Sequence, residues 1–400
     1  MINFSETIPD FRAHVPAARS SAYLITASTG LVPDFIYDGA RRYMDGRYLK
    51  GGDASWEFQD ATVGTLEMME RSKAALGAML GCGASRIAFG QSATQMFTMV
   101  TEAVDYPPGA NVVVPAEGWI GSRFAWQKRE REGLEVRYAK PSGGVISAED
   151  LMALCDENTA AISVNLVESE TGYRVDIDKL GAFCRARGIL LFADAVQAAG
   201  VLHIDMDAQG IDFLVGNDYK WMMNFCGTGY ACVGARIMPL VRRWGAGWMS
   251  DTERFNTAKS ALELRGDAGR FEIGYPNVPG IYGLGLAAAQ YLKLGARAIE
   301  DYALSLAAYC LDRASGTQYV RPALELPRSR RSQIVRLELD SRLQLRTEDF
   351  ARAGVTVQEF GKAGPDGTRS VRLAFHYYNN RADIDRFFSV IDETAQRKGG

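Results

Sequence analysis

Ile189-Leu190-Leu191-Phe192-Ala193-Asp194-Ala195-Val196-Gln197-Ala198-Ala199-Gly200 opens with five apolar residues in succession and turns polar at Asp194. A strand with one wet face alternates apolar and polar residues. An unbroken apolar run of this length fits a strand buried on both faces, as in a parallel sheet covered by helices. A helix is predicted just before it, over 176–186, with Ile177, Leu180 and Phe183 on one side and Gly188 as its stop. The pattern repeats on either side. Ile87-Ala88-Phe89 predicts a strand and 94–104 the helix after it. Val112-Val113-Val114, the run 162–166, Phe213-Leu214-Val215 and Tyr230-Ala231-Cys232-Val233 predict further strands. Strands alternating with helices predict an α/β fold with a mainly parallel sheet.

The 400 residues, 47% of them hydrophobic, are enough for one large domain and a smaller one. Composition shifts after about residue 285. Helices over 285–294 and 296–314 lead into strands over 334–339, 355–360 and 371–375, and a last helix covers 382–396. The expected organisation is an N-terminal arm (1–20), a large domain (21–284) and a smaller α+β domain (285–400) that takes in part of the N-terminal segment. A net charge of -3 gives no basic face for nucleic acid. Arg328-Ser329-Arg330-Arg331, the densest basic run, has no interleaved aromatics and reads as a solvated loop. No apolar run approaches the roughly 20 residues of a membrane span, and residues 1–16 lack a secretory pattern. Six scattered cysteines show no metal or redox spacing. No metal is expected, and the chain reads as cytoplasmic with free thiols.

Ligands of a parallel sheet sit beyond the carboxyl ends of its strands. Asp194 stands at such an end, Gln197 lies three residues on, and Lys220 follows the 213–215 strand in Gly216-Asn217-Asp218-Tyr219-Lys220-Trp221. An ion pair between Asp194 and Lys220 is one explanation of this pattern. The needs of pyridoxal 5′-phosphate (PLP) are another. Its ring nitrogen keeps its proton beside a buried aspartate, its aldehyde requires a nucleophilic lysine, and its phosphate seeks the amides of a helix start. Gly90-Gln91-Ser92-Ala93-Thr94 offers such a start, although an ordinary helix cap would look the same.

Several segments, taken in order, resemble the motifs of the class V aminotransferases. These are Asp194 to Gly200, Asp212-Phe213, Lys220-Trp221, Gly227-Thr228-Gly229, Arg270-Phe271-Glu272-Ile273-Gly274, and Arg372-Leu373-Ala374-Phe375-His376-Tyr377-Tyr378-Asn379. That family has the fold-type I PLP fold and includes cysteine desulfurases, isopenicillin N epimerase and kynureninase. The likeness spans about residues 20–395. It implies a seven-stranded sheet and a homodimer with its sites at the subunit interface. By position, Lys220 carries PLP as a Schiff base and moves protons. Asp194 pairs with the ring nitrogen, Gln197 bonds the phenolic oxygen, and Trp119 stacks on the ring. Ser92, Ala93 and Thr94 hold the phosphate, with Asn217 and Tyr219 as further cofactor contacts. Arg372 grips the substrate carboxylate in a two-pronged pair. Ser28, Ser169 and Trp56 are candidate substrate contacts, and Tyr275 reaches the partner's phosphate.

Departures from the family pattern bear on the reaction. Tyr219 replaces a common histidine, Asn217-Asp218 a serine, Tyr275 a threonine, Ser169 an asparagine, and Trp119 a ring-stacking histidine. No cysteine lies between 311 and 400, where desulfurases carry their sulfur acceptor. The first expectation is therefore a lyase that removes a β-substituent, with C–S cleavage of a cysteine-derived amino acid. Aminotransferase, epimerase and decarboxylating activities are alternatives on the same scaffold, and a PLP-binding regulator without activity is the remote one. The substrate side chain stays open.

Overall fold

The computed structural model describes residues 4–50, 57–58, 63–242, 245–254, 256–360 and 368–399. Seven strands form the central sheet: β1 (Ile87–Gly90), β2 (Asn111–Pro115), β3 (Glu135–Ala139), β4 (Thr159–Asn165), β5 (Leu190–Asp194), β6 (Phe213–Asn217) and β7 (Gly229–Val233). Their spatial order is β1-β7-β6-β5-β4-β2-β3. Only β7 runs antiparallel to its neighbours. β5 lies at the middle of this order.

Strand β5 feeds two cores, because successive side chains leave a strand on opposite faces. Leu190 and Phe192 join a cluster with Phe97, Trp126 and Phe213, whereas Leu191 and Ala193 join the larger cluster on the other face. Phe192 meets Trp126 edge-on at 5.4 Å and Phe213 at 5.3 Å. Full burial of each such side chain contributes about 1.5–3 kcal/mol, so both faces of this strand hold the helices on.

The longer helices are α1 (Asp34–Lys50), α2 (Thr65–Leu80), α3 (Ala93–Ala103), α4 (Ile120–Arg131), α5 (Ile177–Arg187), α6 (Val278–Leu294), α7 (Ala296–Ser315) and α8 (Arg381–Gly399). Gly188, at φ +73°, ends α5 in the left-handed conformation that glycine adopts without cost. Helix α6 begins at residue 278, not 285, so the expected domain transition falls inside it. Asn277 caps its start by accepting from the Gly280 amide. Gly280, Gly283 and Gly285 interrupt its apolar periodicity in the sequence. They serve close packing instead: a methyl group on Gly285 would collide with Ser72 of α2.

A second sheet orders β8 (Val320–Pro322), β9 (Ile334–Leu339), β11 (Arg369–Ala374) and β10 (Gln358–Glu359), all antiparallel. The expected single strand over 355–360 is divided. Val355–Thr356 pairs in parallel with Ala22–Tyr23, and Gln358–Glu359 pairs with β11. Ala22 and Leu24 belong to the second sheet's core, so the N-terminal segment does pack there. The arm before it is docked as well. Arg12 holds Asp383 through both of its terminal nitrogens, at 2.7 and 2.9 Å.

Candidate active site

Strand ends bring the charged residues together. Asp194 closes β5, and Asn217 closes β6 just before the turn that carries Lys220. That turn is tied across its base. Asp218 accepts the Thr228 amide on Oδ2 at 3.1 Å, and its own amide donates to the Thr228 carbonyl at 3.2 Å. Asp218 is fully enclosed, and burial pushes its carboxyl up to about 7. The Asn217-Asp218 departure thus has a structural meaning, since the aspartate clamps the lysine turn. Within the turn Met223 takes φ 54°, a left-handed conformation that costs a non-glycine residue about 1–2 kcal/mol.

Lys220 is 7% exposed and Asp194 6%. They do not form an ion pair, because no carboxylate lies within 4 Å of the Lys220 ammonium among the described residues. Burial is the main cause that lowers Lys220 to about 8; Asp194 opposes the shift and Arg372 adds to it. Lys220 is thereby a better nucleophile at neutral pH than a surface lysine. Burial raises Asp194 too, against the Val196 amide, which donates to Oδ1 at 2.9 Å. The Trp119 ring centroid is 5.4 Å from Lys220 Nζ, and the residue is 48% exposed at the start of α4.

At the head of α3, Ser92 Oγ caps the helix by accepting the Gln95 amide at 3.1 Å. The Ala93 and Thr94 amides belong to the first turn and have no acceptor within the helix. Gly229 backs this loop so closely that a methyl group there would overlap the Ser92–Ala93 backbone. Gly229 is also the register partner of Asn217, which joins the loop to the lysine turn. Burial raises the Tyr219 hydroxyl, and the neighbouring Asn217 side chain opposes that shift.

Gln197 is more constrained than its sequence position indicates. Its Oε1 accepts from Trp221 Nε1 at 2.8 Å and its Nε2 donates to the Ala27 carbonyl at 2.9 Å. One N–H of the amide is left over, and its direction is set by Trp221. His376 stacks beside Trp221 at 5.7 Å and bonds the Trp221 carbonyl through Nε2 at 3.0 Å. Burial pushes this imidazole down to about 3, so it is neutral and structural.

Arg372 is buried and stays charged, although burial lowers it to about 10. It meets both Ser28 and Ser169, but differently from the expectation. Ser28 offers its hydroxyl to Nη2 at 2.6 Å, whereas Ser169 offers only its backbone carbonyl to Nη1 at 2.7 Å. Gln358, which sequence reasoning missed, accepts from Nη2 at 2.8 Å. Its only sequence signal is its place two residues before Phe360 in a predicted strand. Ser28 belongs to a loop that also touches the lysine turn: the Gly30 amide donates to the Tyr219 carbonyl at 2.8 Å. Gly30 presses on the Lys220 carbonyl so closely that no Cβ would fit.

Tyr275 is 48% exposed. Trp56 lies outside the described residues. Among the described residues no cluster of histidine, cysteine and carboxylate side chains could hold a metal ion.

The class-V aminotransferase profile matches residues 22–387, nearly the whole chain. The chain belongs to the class-V aminotransferase family. A probable cysteine desulfurase of Methanothermobacter thermautotrophicus is 23% identical over 302 residues, covering 74% of this chain and 73% of its own. A cysteine desulfurase of a Shewanella species is 41% identical over 92 residues, 23% of either chain. Among solved structures, a cysteine desulfurase of Escherichia coli in its S-sulfonic acid form aligns with a TM-score of 0.81 at 18% identity, covering 98% of both chains. A cystine C–S lyase in complex with its reaction product cysteine persulfide aligns at 0.82 with 15% identity, over 94% of this chain and 98% of its own. These structures share the fold-type I architecture.

A class-V enzyme uses PLP, and the residues here fit it. Asp194 is a buried carboxylate with no side-chain cation within 4 Å among the described residues, and a protonated ring nitrogen supplies one. The α3 amides and the glycine-backed loop suit a phosphate, and Lys220 suits an aldehyde.

Proposed function

We propose that the protein is a PLP-dependent lyase that cleaves the Cβ–S bond of cysteine or a cysteine-derived amino acid. The observation that carries this reading is the placement of sulfur ligands. The chain has no cysteine after Cys310, and Cys310 is 0% exposed inside α7. With no thiol after the buried Cys310 to take the sulfur, and the exposed Cys226 set in the turn before Gly227, we read the sulfur as leaving on the product. The desulfurase and C–S lyase relatives support sulfur amino acids as the substrate class.

Bound PLP supplies an electron sink that makes the Cα–H bond of an attached amino acid acidic. Lys220, neutral above about pH 8, takes that proton. Arg372 holds the α-carboxylate and fixes which Cα bond stands toward the lysine. Trp119 covers the ring on the open side. Asp194 keeps the ring nitrogen protonated, Gln197 directs its remaining N–H at the phenolic oxygen, and Ser92, Ala93, Thr94, Asn217 and Tyr219 hold the phosphate. The Cβ–S bond breaks with its electron pair on sulfur. With one water consumed, the products are pyruvate, ammonia and the sulfur fragment: hydrogen sulfide from cysteine, a thiol from an S-alkylcysteine, or cysteine persulfide from cystine. Incubating the holoenzyme with cysteine, cystine and S-alkylcysteines should release pyruvate and ammonia in equal amounts, with hydrogen sulfide, persulfide or thiol respectively. Formation of alanine, or of no product across the panel, overturns the lyase assignment.

We infer a homodimer from the same surface. Trp119, Ile120, Phe124, Ile273 and Tyr275 are large exposed apolar side chains, and Tyr37, Met44 and Tyr48 form an exposed stripe at helical spacing on α1. Tyr275 would then complete the partner's phosphate site. Sedimentation velocity should give twice the 43.8 kDa chain mass; a monomer at micromolar concentration contradicts the assignment. All six cysteines are unpaired, which supports a reducing, cytoplasmic location. Six thiols should titrate per chain when the same sample is denatured without reductant, and fewer would count against it. No helix among the described residues is long and apolar enough to cross a membrane.

A further inference from the structure

Gln358 and Arg372 are direct register partners in the β10–β11 ladder, so their side chains leave the sheet on the same face. Arg372 Nη2 donates to Gln358 Oε1 at 2.8 Å and to Ser28 Oγ at 2.6 Å, and Ser28 is itself hydrogen-bonded to Gln358 Oε1. A terminal guanidinium nitrogen carries two hydrogens; both of those on Nη2 are engaged. Nη1 donates to the Ser169 carbonyl, Nε is enclosed with no acceptor, and the Phe360 ring covers one face at 4.5 Å. A guanidinium grips a carboxylate with two parallel bonds along its Nη1–Nη2 edge or its Nε–Nη2 edge. Nη2 is the corner common to both edges. Any two-pronged pair with Arg372 therefore has to displace Gln358 or Ser28.

Of the two, Gln358 is the mobile one. Ser28 sits on a short side chain in a loop anchored on both sides, through the Ala27 carbonyl to Gln197 and through the Gly30 amide to Tyr219. Gln358 is half-buried on a two-residue strand, and its side chain has several rotatable bonds.

We propose that Gln358 is the specificity-determining residue for the substrate's α-carboxylate: its carboxamide oxygen competes for Arg372 Nη2, and only an ionised carboxylate displaces it. A carboxylate adds a charge–charge attraction and a second parallel bond that a neutral carboxamide oxygen lacks, so the α-carboxylate wins the exchange. A neutral amide, no stronger an acceptor than Gln358 itself, does not. The ligands accepted are then amino acids with a free carboxylate, whatever their side chain, and neutral amino-acid amides are excluded. This rests on the reading of Arg372 as the carboxylate site, but not on which bond is broken afterwards.

The test titrates holoenzyme with L-alanine and with L-alaninamide and reads the change in the visible absorbance of the bound cofactor, so C–S cleavage does not enter. The unmodified protein should bind alanine and discriminate against alaninamide. Gln358→Glu places a permanent carboxylate on Arg372 and should weaken alanine by about 100-fold, with alaninamide within about threefold. Gln358→Leu removes the competitor and should narrow the alanine-to-alaninamide ratio by about tenfold. Unchanged alanine affinity in Gln358→Glu, equal losses for both ligands, or an unchanged ratio in Gln358→Leu overturns the exchange. No discrimination by the unmodified protein overturns the Arg372 assignment and the exchange with it. Failure of the cysteine panel alone, with these shifts intact, overturns only the lyase reading.

Discussion

Replacing Lys220 with alanine should lower single-turnover pyruvate formation from cysteine by about 10⁴-fold, the combined loss of a nucleophile and a general base. Borohydride treatment should fix the cofactor to a Lys220 peptide in the unmodified protein and to no peptide in the variant. The burial that makes Lys220 the strongest candidate also gives the effect a pH signature. Its amine titrates near pH 8 instead of near 10.5, so the nucleophilic form is the minor one at pH 7 and the major one above pH 8. The rate at which the apoprotein takes up PLP should therefore rise through about pH 8 and level off above it. A rate still climbing steeply at pH 10 would mean that an ordinary exposed lysine is the attachment point. Retention of covalent cofactor in Lys220→Ala would overturn the site as a whole.

Lys73→Met should cost about 3–5 kcal/mol of unfolding free energy, the typical effect of removing one partner from a buried ion pair. Lys73 Nζ lies 3.0 and 3.1 Å from the two oxygens of Glu272, and both side chains are almost completely enclosed. Glu272 Oε1 also accepts the Phe89 amide at 3.0 Å. This pair thus joins α2, the edge strand β1 and the segment that leads to Tyr275. The methionine occupies the space of the lysine but leaves the carboxylate with one amide as its only described donor. Changing both residues, Lys73→Met with Glu272→Met, removes the stranded charge and should recover more than half of the loss. Fluorescence-detected urea unfolding of the holoenzyme measures both. A single variant within about 0.5 kcal/mol of the unmodified protein would show that water or a nearby cation such as Arg265, whose charge acts on Glu272, already compensates.

The parts of the fold visible in the sequence share a physical cause. Strands β1, β2, β4, β5, β6 and β7 are buried on both faces, so they read as apolar runs. Strand β3 is one of the sheet's two edges, and Glu135-Val136-Arg137-Tyr138-Ala139 has the mixed character of a strand with an exposed side. It has no such run and was not predicted. The start of α6 is hidden by glycines whose purpose is contact with α2. The division of 355–360 reflects two different partners, Ala22–Tyr23 and β11, which no local pattern announces.

The site divides along the same line. Asp194, Lys220 and the Ser92–Thr94 loop are legible because each closes or follows a strand or begins a helix, and those ends meet at one edge of a parallel sheet. Trp221, Asp218 and Gln358 are not, because their contribution is a hydrogen bond to a residue elsewhere. Ser169 illustrates the difference: its backbone carbonyl meets Arg372, a contact that residue identity does not encode.

The sequence by itself determined that a parallel α/β sheet presents a carboxylate and a lysine at its strand ends, since burial on two faces leaves an apolar signature and strand ends follow from where it stops. Only the tertiary structure decided what those groups and Arg372 are able to do. The Lys220 amine is lowered by the enclosure around it, not by a residue next to it in the chain. The donors of Arg372 are divided between Gln358, 14 positions away, and Ser28, 344 positions away. A guanidinium has a fixed number of N–H groups, so its availability to a substrate depends on neighbours that only folding assembles.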